Sequence, residues 1–227
     1  MAFPDDALLE LPGSGSVLVD GMDGAKIVRV PDGGESVGTP QRGTLKGGVQ
    51  LPLNPVLYTR RRPARQYGSS HAIRTIQAAF ADFREGSGVT KEVLIGDVSL
   101  PRGGPFSPHV SHRSGRDVDI RLILADGLER DAIPFEAQMV DWKAQWALVD
   151  SFMRTGKIGY IFLDFERQSH LYAAGLEAGV DSRVLDEWFQ WPDRGDLRGI
   201  IRHEDGHRAH IHVRLICGEG EAKCHGI

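Results

Sequence analysis

Cysteine is almost missing: among 227 residues there are two, Cys217 and Cys224. Neither belongs to a CxxC, which argues against metal binding by the pair. In an exported protein the two could close a small loop as a disulfide, and in a reduced cytosol they would be free thiols, a choice the sequence leaves open. Long apolar runs are missing too. No stretch of about 18 apolar residues occurs, so no membrane span is expected. Positive charge is not in surplus, since the net charge is -4, and this excludes nucleic acid as an expected partner because neutralising phosphates requires a basic surface. The opening residues, MAFPDDALLELPGSG, lack the basic start and apolar middle of a secretory signal. Repeats and low-complexity tracts are likewise absent.

What remains is an ordinary globular composition, 41% hydrophobic, enough to bury a sizeable core. Residues 1–40, rich in Gly, Asp, Ser and Pro, read as an extension or linker holding at most a hairpin around SVLV and KIVRV, and residues 41–227 as the main domain. In HAIRTIQAAFADFREG, Ile73, Ile76, Phe80 and Phe83 recur at helical spacing and a glycine follows, which predicts a helix with one packed face. KEVLIGDVSL reads as a strand, LPRGGPFSPHVSHRSGR as a loop punctuated by Pro and Gly, and VDIRLIL as another strand. DWKAQWALVDSFMRTG predicts a helix with Trp142, Trp146, Val149 and Phe152 or Met153 on one side. KIGYIFLD is strand-like, HLYAAGLEAG and SRVLDEWFQW predict short helices, and the chain closes on AHIHVRLI, a strand of strict alternation. Strands mixed irregularly with helices point to an α+β fold, a small central antiparallel sheet flanked by helices and long loops.

The chemistry gathers in two segments. Of nine histidines, five fall there: His109 and His112 in one, His207, His210 and His212 in the other. In AHIHVRLI the period of two sends Ile211, Val213 and Leu215 to the core and leaves His210, His212 and Arg214 on the opposite face. In SHRSGRDVDIRL the same rule assigns Val118, Ile120 and Leu122 to the core and turns Asp117 and Asp119 away from it. Pairing these strands, directly or through a neighbour, would bring His112 and Asp119 to His210 and His212. Two histidines and a carboxylate suit Zn²⁺, and three protein ligands leave one position open for chemistry. Arginines form two groups. Arg60, Arg61, Arg62 and Arg65 read as solvated surface, whereas Arg102, Arg113, Arg116 and Arg121 surround the first histidine segment and suit an anionic substrate.

PRGGPFSPHVSHRSGRDVDI and GHRAHIHVRL together resemble the signature of the penicillin-insensitive murein endopeptidases, within the wider group of zinc peptidases that includes D-alanyl-D-alanine carboxypeptidases and lysostaphin-type enzymes. The resemblance spans roughly residues 43–217. It rests on His112, on Asp119 seven positions later, and on the distant His210-Ile211-His212. By that resemblance His112, Asp119 and His212 are the ligands of one Zn²⁺ per chain, with the main domain a zinc peptidase domain and the zinc carried by its sheet. His210 and His207 are implied as catalytic, assisting proton transfer or stabilising the oxyanion. His109 is implied to line the site, and Asp117 to orient a neighbour. Arg121 departs from the pattern, standing where the family has an aromatic residue, and the family's further cysteines are absent. His203, Glu204 and Asp205 read as loop residues, with Glu204 a rival to His207 as base.

The implied activity is hydrolysis of peptide cross-links in bacterial peptidoglycan, of the D-alanyl-meso-diaminopimelate type. The alternatives are another zinc peptidase or amidase activity on the same scaffold, or a non-catalytic wall-binding module. A two-metal phosphodiesterase would want more carboxylates. A wall hydrolase acts outside the cytoplasmic membrane, periplasmic or secreted. A lytic effector, with secretion machinery and an immunity protein as partners, is one form such a protein takes.

Overall fold

The computed structural model describes residues 18–20 and 26–226. In chain order its elements are β1 (Leu18–Asp20), β2 (Lys26–Val28), β3 (Glu35–Gly38), β4 (Gly43–Lys46), β5 (Val49–Gln50), β6 (Thr59–Arg60), β7 (Tyr67–Gly68), α1 (Ser70–Ser87), β8 (Leu94–Ile95) and β9 (Asp117–Arg121). They continue with α2 (Trp142–Arg154), β10 (Ile158–Phe162), α3 (Phe165–Glu177), α4 (Ser182–Trp188), β11 (Ile201–Arg202) and β12 (His210–Leu215). The fold is α+β.

Each helix starts where a short polar side chain can satisfy a free backbone N–H. Ser69 caps α1 by accepting from Ala72, Asp141 caps α2 by accepting from Ala144, Asp164 caps α3 by accepting from Glu166, and Asp181 caps α4 by accepting from Arg183. The Asp164 cap starts α3 several residues before the apolar stretch HLYAAGLEAG that announces it. At the other end of α1, Gly88 takes the left-handed conformation with φ 63°, a stop that glycine makes without steric cost.

The central sheet has the order β11-β10-β12-β9-β8-β6. Its four middle strands are antiparallel, whereas both edge pairings, β10 with β11 and β6 with β8, are parallel. The sheet is thus mixed, because β6 and β11 each return through long connections and not through hairpins. β8 is shorter than KEVLIGDVSL suggests. Gly96 and Asp97 still exchange backbone hydrogen bonds with Asp119 at 2.8 and 2.9 Å, but Val98 already donates to Arg65 and leaves the ladder.

One apolar core lies against the sheet. Val118, Ile120 and Leu122 from β9 and its continuation, and Ile211, Val213 and Leu215 from β12, are all fully buried. Ile73, Ile76, Phe80 and Phe83 of α1 and Trp146, Val149 and Phe152 of α2 join them. Phe80 stands edge-on to Tyr58 at 5.2 Å and to Phe152 at 5.8 Å, the geometry that ring quadrupoles favour. Phe152 therefore takes the inward place on α2, and Met153 packs only at the margin.

Among the described residues ahead of 41, several are tied to the rest of the chain. β1 and β2 pair as an antiparallel hairpin, and Val28, 2% exposed, exchanges backbone hydrogen bonds with the Gln77 side chain of α1 at 2.9 and 3.0 Å. β3 and β4 pair across residue 40, so the boundary expected there falls inside a hairpin. Gly38 also bonds Lys223 near the far end of the chain. Among the described residues no helix is long and apolar enough to cross a membrane.

Candidate metal centre

The strands that carry the two histidine segments are direct neighbours. In the β12/β9 ladder His212 lies opposite Asp119, His210 opposite Arg121 and Arg214 opposite Asp117. Side chains directly opposite on one face approach closely, and with Ile211 and Ile120 turned inward these polar groups are forced onto one side of the sheet.

His112 reaches the same point from the preceding loop. It is the one non-glycine residue with positive φ among the described residues, at 63°, a conformation that costs energy and persists only where the surroundings hold it. Here they do. Its backbone N–H donates to Asp117 Oδ2 at 2.9 Å, its carbonyl accepts from Ser99 Oγ at 2.5 Å, and its Nδ1 lies 2.8 Å from the Val98 carbonyl. The loop beneath is closed by Gly104 donating to the Arg113 carbonyl. Gly103 is obligatory there, because a Cβ on it would stand 2.1 Å from that same carbonyl oxygen.

These contacts decide which lone pairs face inward. A carbonyl only accepts, so His112 Nδ1 carries the proton toward Val98 and a neutral His112 presents the lone pair of Nε2, 3.1 Å from Asp119 Oδ1. His212 Nε2 donates to Asp117 Oδ1 at 2.9 Å, which leaves its Nδ1 lone pair 3.5 Å from Asp119 Oδ1. Three acceptor atoms of three side chains thus converge with no proton between them when both imidazoles are neutral, which is the donor set of a cation site. A tetrahedral zinc with bonds of about 2.0–2.1 Å has ligand-to-ligand edges of roughly 3.3 Å, and 3.1 and 3.5 Å bracket that value. The two edges at the carboxylate fit the ion.

Further groups surround this triangle. His109 Nε2 is tied to Asp97 Oδ2 at 2.8 Å, and its Nδ1 stands 3.8 Å from Asp119 Oδ2. The ligand atoms of His109, His112 and Asp119 lie within 4.8 Å of one another, so His109 faces the same space as the expected ligand set. His210 Nε2 is 3.8 Å from Asp119 Oδ1, and the His207 ring is tilted against that of His210 with centroids 4.8 Å apart. His207 Nδ1 sits 3.0 and 3.2 Å from the Asp205 and Glu204 carbonyls, so Nε2 is the nitrogen turned to other partners. His203 is engaged by Phe165 N–H, Arg194 and Asp205, and Glu204 is exposed.

Asp117 is fully buried behind the triangle, accepting also from Arg214 Nε at 2.8 Å. Burial works against the charge of Asp117, but His212, Arg214 and His112 hold its carboxyl far below the usual carboxylate range. Asp119 is likewise held low against burial by His112, His212 and His210. Burial disfavours the imidazolium of His112 as well, yet Asp119 overrides it and pushes the pKa up to about 9. His212 goes the other way, down to about 4, through burial and the charge of His112 beside it.

The arginines depart from expectation. Arg116, expected at the substrate, is 1% exposed and donates to the carbonyls of Leu215, His225 and Gly226 at 3.0, 2.6 and 2.7 Å. It clamps the C-terminal segment and has no face toward solvent. Arg102 and Arg113 are tied through their backbones to Leu45 and Pro40 and do not line the cleft at Asp119 and His210. That cleft, about 760 Å³, is lined instead by Arg121 together with Arg61 and Arg62 from the group read as plain surface. Sequence reasoning also missed Asp97, whose carboxylate accepts two hydrogen bonds from Arg65 at 2.9 and 2.7 Å and positions His109. An aspartate interrupting KEVLIGDVSL was the available signal, since a carboxylate inside a strand pattern needs a partner. Cys217 and Cys224 form a disulfide with Cα atoms 5.8 Å apart.

A family model described as penicillin-insensitive murein endopeptidase matches residues 36–153, taking in His109, His112, Asp117 and Asp119 and ending before β12. Among curated proteins, a penicillin-insensitive murein endopeptidase from an Escherichia coli O157:H7 strain is 30% identical over 216 residues, which cover 86% of this chain and 71% of the relative. Proteins of the same name from Escherichia coli K12 and Shigella boydii serotype 18 are 29% identical over the same shares.

Proposed function

The chain belongs to the penicillin-insensitive murein endopeptidase family, and on that premise we propose that it is a zinc-dependent endopeptidase hydrolysing peptide cross-links of bacterial peptidoglycan, of the D-alanyl-meso-diaminopimelate type. The observation that carries the zinc dependence is the convergence of His112 Nε2, Asp119 Oδ1 and His212 Nδ1, with separations of 3.1 and 3.5 Å at the carboxylate. In this reading those three residues hold one ion. When bound, it supplies a Lewis acid that polarises a carbonyl and makes water nucleophilic near neutral pH.

The rest is done by the chain's own side chains. Asp117 and the Val98 carbonyl fix which nitrogen of His212 and His112 faces the site, so the ligands are set before substrate arrives. His207, partly exposed and held at Nδ1 by backbone carbonyls, presents Nε2 to take a proton and pass it to the leaving amine. His210, facing Asp119 across 3.8 Å, is the second group able to do so or to hydrogen-bond the developing oxyanion. The Cys217–Cys224 disulfide supports action in an oxidising compartment outside the cytoplasmic membrane, where the substrate lies.

A digest of purified Gram-negative sacculi, with the muropeptides separated and weighed, tests this reading. Cross-linked dimers are expected to become monomers, the change to be blocked by a chelator and restored by zinc. Product masses distinguish an amidase or a carboxypeptidase, and an unchanged muropeptide profile from zinc-loaded protein overturns the assignment. His112→Ala and His212→Ala should lose zinc and activity together, whereas His207→Ala and His210→Ala should lose rate, by about 10²–10⁴-fold for a general base, and keep the metal.

A further inference from the structure

Arg61 and Arg62 stand directly after β6, the edge strand, and both are exposed. Their position across the sheet is set by register. Arg60 pairs with Ile95 and Ile95 with Ile120, the residue after Asp119, while the Arg61 N–H donates to the Ile95 carbonyl at 3.0 Å. Two strand spacings separate β6 from β9, so the backbone at Arg61 lies roughly 10 Å from that at Asp119. That is about three residues of an extended peptide. Both arginines line the cleft that holds Asp119, His109 and His210.

The other arginines around this cleft are engaged. Arg65 forks onto Asp97. Arg130 forks onto Glu92. Arg121 donates to the carbonyls of Arg130 and Ala132, and Arg60 donates to the Leu51 carbonyl. Arg61 and Arg62 have no side-chain hydrogen bond or ion pair among the described residues. Two guanidinium groups on consecutive residues, without a hydrogen-bonded counter-ion among the described residues and lining a cleft that Glu129 and Asp131 also line, offer up to ten N–H donors to an anion, and a guanidinium fork matches a carboxylate.

We propose that Arg61 and Arg62 bind a free carboxylate of the stem peptide, within about three residues of the scissile bond, and set the enzyme's preference for substrates that carry it. This rests on the endopeptidase reading above. The peptide then runs across the strand ends from β12 toward β6. The arginines read as solvated surface hold the anion, in place of Arg102, Arg113 and Arg116.

The test uses the Arg61→Gln/Arg62→Gln double variant of the full chain and two cross-linked muropeptide dimers, one with free diaminopimelate carboxylates and one with them amidated. Zinc content and melting temperature should match the unsubstituted protein, since both side chains are exposed and unpaired. On the carboxylate dimer kcat/KM should fall by about 10- to 100-fold, the size expected for charge-assisted hydrogen bonds, with the change in KM and kcat nearly kept. On the amidated dimer it should barely change. Equal losses on both dimers, or none on either, overturn the proposal. A second readout is independent of turnover: calorimetric binding of the free diaminopimelate-containing tripeptide should weaken to the same extent in the double variant and on amidation, and the double variant should bind the amidated tripeptide no more weakly still. If the unsubstituted protein cleaves neither dimer, the endopeptidase reading falls, and the binding result alone decides the arginines.

Discussion

Replacing Asp117 by asparagine separates holding the fold from holding the metal. The carboxylate is fully buried, with Oδ2 accepting from the His112 backbone N–H at 2.9 Å and Oδ1 accepting from His212 Nε2 at 2.9 Å and Arg214 Nε at 2.8 Å. Asparagine has one oxygen and one NH₂. If the NH₂ takes the Oδ2 place it meets the His112 N–H, donor against donor. If it takes the Oδ1 place it meets the Arg214 N–H and can donate to His212 Nε2, which moves the imidazole proton to Nδ1 and removes the lone pair facing Asp119. Either way Arg214, 5% exposed, keeps its charge without its counter-ion. Stranding one partner of a buried pair costs about 3–5 kcal/mol, and at 2–4 °C per kcal/mol for a chain of this size the melting temperature should fall by roughly 10 °C. Zinc affinity should fall about 10- to 100-fold, the usual effect of losing a group that orients a ligand.

Two assays divide these effects. Thermal melts under chelator read the fold, and competition with a chromophoric chelator reads the zinc affinity. Adding Arg214→Met removes the stranded charge, so Asp117→Asn/Arg214→Met should recover much of the melting temperature while its zinc affinity stays low. Unchanged zinc affinity in Asp117→Asn would refute the argument that Asp117 sets the face His212 turns to the metal. If affinity recovers together with stability in the double variant, Asp117 acts only on folding.

The remaining predictions concern the scaffold. Opening the Cys217–Cys224 loop by Cys224→Ser should cost about 2.5 kcal/mol from loop entropy for a sequence separation of 7, read by denaturant melts with and without reductant; no change in midpoint would refute it. Phe80→Ala, which empties the contact of α1 with Tyr58 and Phe152, should cost about 3–5 kcal/mol, and a loss below about 1 kcal/mol would mean the core is not organised around that ring. Asp141 gives a pH dependence. Burial opposes its charge, but the Ala144 N–H and Lys91 hold its carboxyl below the ordinary value. A carboxyl lowered in the folded state adds stability above its unfolded pKa of about 3.9, and that contribution disappears as pH falls through the lower folded value. The stability gap between the unsubstituted protein and Asp141→Asn, which keeps the cap oxygen and removes the charge, should therefore be full at neutral pH and close as the pH falls through the lowered folded value. A gap constant with pH would refute the cap's ionic character.

Local pattern carried a large part of this structure because its signals are periodic. The spacing of Ile73, Ile76, Phe80 and Phe83 encodes one face of α1 whatever it packs against, and the alternation in AHIHVRLI encodes which side of β12 is polar. The shared face of Asp117 and Asp119 is legible for the same reason. The reach of His112 is not, since it depends on a positive φ that only the closed loop sustains.

Alternation settled that His210, His212, Asp117 and Asp119 would all face away from the core. Only the tertiary structure decided that β12 and β9 are direct neighbours, that His212 stands opposite Asp119, and that each imidazole turns a particular nitrogen inward. The arginines mark the limit most plainly. Chain proximity to His112 suggested Arg102, Arg113 and Arg116, whereas sheet order placed Arg61 and Arg62 at the cleft and the carbonyls of the C-terminal segment hold Arg116 in the interior. A period of two or of 3.6 is a property of the backbone and can be read from residues a few apart. Strand order, and the choice between solvent and interior for an arginine, depend on which distant segments close over it.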